Sequence, residues 1–285
     1  MTSSTVSPWQ RELDDFVRAL SGAFLLGVPL LFTMEMWWLG SYERPWKLLV
    51  LLGIALAANV ALAQSAGFRE RPALGNSVEQ AIDAVAVGAF ASAIVLLVLN
   101  RVAIGDPLDT VLGKIVVQAV PLSLGASVAT MIFGAGRGDR RGDADTAASA
   151  RSPWQAALKD AGATVTGGIF IGFSIAPTEE VLLLAAELTP PHLLALIALS
   201  LALTYAIVFE SGFDPNQIQP RYNGLYQSAI TETTAAYAVS LVVAVGALLL
   251  FNASGLTDSP QHLLGQVLVL GLPTAIGGAA GRLVL

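Results

Sequence analysis

Residues 7–68 slide onto residues 152–213 without a gap, and 20 of the 62 paired positions are identical. The opening Ser7-Pro8-Trp9-Gln10 returns as Ser152-Pro153-Trp154-Gln155. Gly22/Gly167, Gly27/Gly172, Thr33/Thr178, Glu35/Glu180, Pro45/Pro190 and Gly67-Phe68/Gly212-Phe213 are among the matches. The step then widens from 145 to 152 residues, and Leu112-Gly113, Pro121 and Gly125 meet Leu264-Gly265, Pro273 and Gly277. Self-similarity on this scale constrains architecture before any local signal, because both copies must follow one structural plan.

The plan is set by hydropathy. The chain is 54% hydrophobic and 13% charged, against roughly 25% charged for a soluble domain. Eight apolar runs, at about 17–40, 46–66, 79–101, 112–135, 162–186, 191–210, 226–251 and 262–284, reach the roughly 20 residues needed to cross a bilayer. The expected fold is an all-α polytopic membrane bundle of eight transmembrane helices in two parallel four-helix repeats. Repeat one is 1–135, repeat two is 152–285, and a polar linker at 136–151 joins them. The linker, rich in Gly, Ala, Asp and Arg, reads as a flexible connector rather than a nucleic-acid patch. The first 16 residues are polar, unlike a cleavable signal peptide. Cysteine is absent, so thiolate chemistry and disulfides are excluded. The two histidines, His192 and His262, fall at span starts and read as interfacial residues.

Loop charge orients the bundle. One side holds Arg11, Arg18, Arg69, Arg71, Arg137, Arg140, Arg141, Arg151, Lys159, Arg221 and Arg282; the other holds Arg44, Lys47, Arg101 and Lys114. The excess places both termini in the cytoplasm. Trp37, Trp38 and Trp46 then form an aromatic belt at the outer interface. The outer side carries Glu35, Glu43, Asp106, Asp109, Glu179, Glu180, Glu187 and Asp258, a negative face that would concentrate cations.

Because each unit has an even number of spans, the copies are parallel and related by an axis along the membrane normal. Gly277 and Gly281, matched by Gly125 and Ala129, form one small-residue packing face. Gly168 and Gly172, matched by Ala23 and Gly27, form another. Small residues four apart let helices approach closely in lipid. Pro121 and Pro273 are expected to kink the fourth and eighth spans.

Both copies keep Thr-x-Glu in otherwise apolar sequence: Thr33-Met34-Glu35, and Thr178-Glu179-Glu180 after Pro177. Ionisable residues within a span are costly and are candidates for an ion path or proton relay. If Glu35 and Glu180 face each other, they share a proton, or they bind a divalent cation with Glu179, Thr33 and Thr178 as further oxygen ligands. The competing reading is a hydrated interfacial carboxylate, since Glu35 lies roughly 8 Å from the outer boundary at 1.5 Å per residue. A second polar level comprises Asn59, its match Thr204, and the acids Asp83 and Glu232 near the other ends of their spans. Together these sketch a cation path; for the two acids, a helix-start carboxylate favoured by the dipole is the alternative.

Other signatures fail. Glu179-Glu180 is similar to the motif of intramembrane CAAX-type proteases, but Leu184 stands where an arginine is required. No phosphate-binding loop, mid-span lysine or potassium filter is present. The duplicated Ser-Pro-Trp-Gln openings, with Thr-Met-Glu-Met and Pro-Thr-Glu-Glu, resemble a prokaryotic family of multi-pass membrane proteins without assigned function. That resemblance covers nearly the whole chain and implies architecture, not activity. Pro-Thr-Glu-Glu is also loosely similar to motifs of the calcium/cation antiporter superfamily, from which parallel repeats depart. The expected function is a proton-coupled cation exchanger; a cation channel and a non-transporting scaffold are the alternatives, and enzymatic activity ranks last. Expected partners are the bilayer, inorganic cations and protons, with a homo-oligomer compatible and no resident cofactor.

Overall fold

The computed structural model describes residues 8–65, 73–134, 153–210, 228–251, 253 and 259–284. The linker 136–151, Gly67-Phe68, Gly212-Phe213, Tyr226-Gln227, Asp258 and the loop cations Arg69, Arg71, Arg137, Arg140, Arg141, Arg151 and Arg221 lie outside the described residues.

All described regular structure is helical. The helices are α1 (Pro8–Leu31), α2 (Met34–Tyr42), α3 (Pro45–Ser65), α4 (Leu74–Val98), α5 (Leu108–Gly134), α6 (Pro153–Ile175), α7 (Glu179–Glu187), α8 (Pro190–Tyr205), α9 (Ala229–Leu250) and α10 (Pro260–Val284). A π-helical turn, Ala206–Glu210, extends α8. Six helices are long and apolar enough to cross a membrane, and eight crossings result if each of two bent pairs counts as one. The membrane class expected from hydropathy therefore holds.

The bent pairs correct the expectation of continuous spans at 17–40 and 162–186. Between α1 and α2 the axis turns by 90°, and between α6 and α7 by 89°. Thr33 and Thr178 sit at the two breaks in extended backbone, with φ/ψ of −106°/113° and −90°/154°. Each is the N-cap of a nine-residue helix that carries acid in its first turn. Thr followed by Glu is thus a helix-start pattern, where a hydroxyl residue tolerates the extended cap and the carboxylate complements the dipole. Pro177 disfavours helical continuation at Ala176. Pro45 and Pro190 open the next helices, where a missing N–H costs nothing. Pro121 and Pro273, by contrast, lie inside uninterrupted α5 and α10.

In each half the last long helix is the hub. α5 packs on α1, α2, α3 and α4, and α10 packs on α6, α7, α8 and α9. For α10, 83% of the most apolar window is buried, against 11% for α3, so α10 is a core helix and α3 faces outward. Glycine makes the closest approach possible. A Cβ on Gly167 would lie 2.8 Å from the Gly281 nitrogen and 2.9 Å from the Gly277 carbonyl carbon. On the other side, a Cβ on Gly125 would lie 2.8 Å from the Gly22 oxygen. These contacts use one small-residue face read from the sequence, Gly277/Gly281 with Gly125, but the partner glycines are Gly167 and Gly22, one residue before the expected Gly168 and Ala23. Between halves, α1 packs on the π turn and α10, and α4 packs on α8.

Candidate functional site

Two polar levels emerge, at opposite ends of the bundle. The first surrounds the breaks. The Thr33 hydroxyl donates to Pro29 O at 3.2 Å, and that of Thr178 donates to Ile175 O at 2.8 Å. Both hydroxyls therefore close off carbonyls of the preceding helix, which the bend would leave without intrahelical donors. The buried Trp37 ring donates from Nε1 to Leu31 O at 2.9 Å, securing another. Glu180 is half-buried, and its Oε1 accepts the Met34 backbone N–H at 3.3 Å. A carboxylate from α7 thereby terminates the first amide of α2, 146 residues earlier. Glu35 and Glu179 are exposed.

A second link joins the halves at this end. After α4, Asn100 takes a φ of 54°, a left-handed conformation that Asn tolerates better than most residues. The turn carries Arg101 over the Trp37 ring, 5.1 Å from its centroid, and into an ion pair with Glu187 at the end of α7. Burial lowers the pKa of the Arg101 guanidinium from its ordinary value, yet a guanidinium stays charged under working conditions. Among the described residues, no group of three or more His, Cys, Asp or Glu is arranged to hold a metal ion. The oxygen shell imagined from Glu35, Glu179, Glu180, Thr33 and Thr178 is accordingly not gathered there; Thr33, Thr178 and Glu180 take part in the hydrogen bonding of the two breaks.

The second level lies at the other end, where α1 and α6 begin. Asn59 on α3 is fully buried. Its Nδ2 donates to Ala55 O at 2.9 Å and to Ser123 Oγ at 3.0 Å, and its Oδ1 accepts from Ser127 Oγ at 2.7 Å. A buried amide with its hydrogen bonds made is stable in an apolar surround. Ser127 also lines a cavity of about 950 Å³ between α1, α3, α4 and α5, together with Glu12, Asp15, Arg18, Gln80 and Asp83. Arg18 is only 8% exposed and pairs with Asp15 at 2.8 Å. Of the sequence-read path residues, Asn59 and Asp83 are thus brought to one feature, Asn59 through Ser127 and Asp83 directly.

Thr204 and Glu232 belong to the other half. The buried Thr204 hydroxyl donates within its own helix to Ser200 O at 2.8 Å. Glu232 is held by Arg282 of α10, which also lies 3.8 Å from Asp160 of α6. Sequence reasoning counted Arg18, Arg101 and Arg282 only as loop charges and passed over Asp15 and Asp160. A signal for the last two existed, since they are one of the identical pairs at the 145-residue step. Gln118 and Gln266 were missed as well. Each buries a side-chain amide oxygen without a protein partner among the described residues, and neither occupies a repeated position that would have drawn notice.

No curated protein and no solved structure matches the chain. A family model does match, over residues 15–285, nearly the whole length. The chain belongs to the family described as "Putative integral membrane protein (DUF2391)", in agreement with its multi-pass helical architecture.

Proposed function

We propose that the protein is a cation transporter of the prokaryotic inner membrane, coupled to protons, with both termini cytoplasmic. It is built from two parallel four-helix repeats around the seam formed by α1, α4, α8 and α10. The observation that carries this reading is the cavity of about 950 Å³, where among the described residues Glu12, Asp15 and Asp83 face Arg18, and Ser127, bonded to the buried Asn59, also lines it. A concave site with excess carboxylate raises the local concentration of cations. Its carboxylates can exchange a proton for the bound cation, which supplies the coupling. The repeat arrangement draws support from the matching order of helices, with a break at Thr33 and again at Thr178, and from the two hub helices.

The test is flux into proteoliposomes with a pH dye inside, driven by a gradient of each cation in turn. Cation-dependent proton movement that Asp83→Asn reduces about tenfold or more is the expected result, the scale set by losing a positioned charge partner. Cation flux without proton movement would favour a channel. The Glu35→Gln/Glu180→Gln double variant separates the two polar levels, since only an ion path through the breaks makes its flux collapse. A second reading, a non-transporting membrane scaffold, is favoured by the break-end carboxylates acting as a helix terminator and an ion-pair partner. Folded protein with no flux of any cation would establish that alternative over transport.

A further inference from the structure

The chemistry of the cavity narrows what it takes. Its charged groups sit toward the start of α1 and α4, with Glu12 and Asp83 on the two walls. Phe90 stands farther along α4 and meets Phe16 of α1 edge to face, with ring centroids 5.6 Å apart. Phe16 lies between Asp15 and Arg18, and both rings are partly exposed. Phe90 lies seven residues beyond Asp83, about 10 Å farther along α4 at the helical rise. Leu62, Val87 and Ala126 add aliphatic surface to the lining. The space thus combines carboxylates with an aromatic pair and aliphatic side chains in one lining.

A bare divalent cation fits this poorly. It demands several converging oxygens, and no group of three or more acidic or histidine side chains is arranged for a metal among the described residues. The volume, by contrast, is at the upper end of the 300–1,000 Å³ typical of pockets for small organic molecules. A cation with an apolar body satisfies both kinds of side chain. The carboxylates take its charge, and the ring faces hold its body or its ammonium by cation–π attraction.

We propose that the cavity between α1, α3, α4 and α5 binds small organic cations, amines or quaternary ammonium compounds with an aromatic or aliphatic body, in preference to inorganic ions. Asp83 and, on the facing wall, Glu12 are the charge partners, because Asp15 is already engaged by Arg18. This rests on the transport reading for its biological sense, but binding is measurable without transport.

The experiment is isothermal titration of the purified full-length chain in detergent with benzyltrimethylammonium, and with the uncharged isostere that carries carbon in place of nitrogen. Saturable binding of the cation, weakened about tenfold or more by Asp83→Asn and by the cavity-filling Ala86→Trp, is expected, the uncharged isostere binding far less. Ala86 lines the cavity and is exposed, so its enlargement occupies space without disturbing the core. Absence of saturable binding, equal binding of cation and isostere, or binding unchanged in both variants would overturn the proposal. So would displacement of the ligand by millimolar calcium or magnesium with retention of the metal. Inorganic cation flux in vesicles without organic-cation binding would refute this inference and leave transport standing. Binding without flux would do the reverse.

Discussion

The two halves of the molecule treat one carboxylate differently. Asp15 and Asp160 occupy matching places near the starts of α1 and α6. In the first half the arginine beside it is Arg18, three residues along the same helix. In the second half it is Arg282, from the far end of α10, which also grips Glu232 at the start of α9. One arrangement keeps the pair within one helix beside a cavity of about 950 Å³. The other draws the ends of three helices together. Moving the counter-charge from the carboxylate's own helix to another changes which helices the pair ties together.

The packing beneath this contrast should be its least forgiving part. Gly167→Ala would place a methyl 2.8 Å from the Gly281 nitrogen, against backbone that cannot yield, and is expected to destabilise the bundle by about 1–3 kcal/mol. Gly53→Ala, where nothing lies within 4 Å of the added Cβ, should instead stabilise α3 by about 0.5–1 kcal/mol. Thermal unfolding in detergent measures both, and equal effects would show that glycine there serves helix propensity alone.

Next in size comes the arginine exchange. Arg282→Gln leaves Glu232 half-buried without its charge partner and is expected to cost about 2 kcal/mol, less than the 3–5 typical of fully buried pairs. The double variant Arg282→Gln/Glu232→Gln should recover much of that loss. Arg18→Gln removes a pair whose acid is 71% exposed, so well under 1 kcal/mol is expected from the pair itself. Comparable losses for Arg18 and Arg282 would erase the distinction between a within-helix pair and a three-helix clasp.

The break-end carboxylates should give the smallest effects. Glu180→Gln weakens the acceptor of the Met34 amide at the start of α2, worth about 0.3–1 kcal/mol by analogy with charges at helix termini. Hydrogen exchange at Met34 should quicken with it. Glu35→Gln removes an exposed carboxylate and should shift stability less, with Met34 exchange unchanged. If the two variants behaved alike, the asymmetry between the breaks would be only geometric.

What the sequence made legible follows from which forces are local. Apolar length gave the helices, because lipid leaves a backbone no other solution. Small-residue spacing pointed to Gly277 and Gly281 on α10, and on α6 it missed by one residue, since the close approach is made by Gly167 rather than Gly168. The breaks stayed hidden because averaging hydropathy across 17–40 or 162–186 smooths over a single extended residue, and at Phe32–Thr33 neither Gly nor Pro marks the spot. Thr-x-Glu was read as chemistry within a span when it also spells the beginning of a helix. The arginine partners were illegible for another reason: Arg282 and Glu232 are 50 residues apart, and no periodicity connects a side chain at the end of one helix to the start of another.

The bond from Met34 N–H to Glu180 bears on how the protein is made. When α1 to α5 have been synthesised, the group that accepts the Met34 amide has not. The elbow at Thr33 therefore gains its last hydrogen bond only once α7 has been made, so the amino-terminal half is completed by a residue of the carboxy-terminal half.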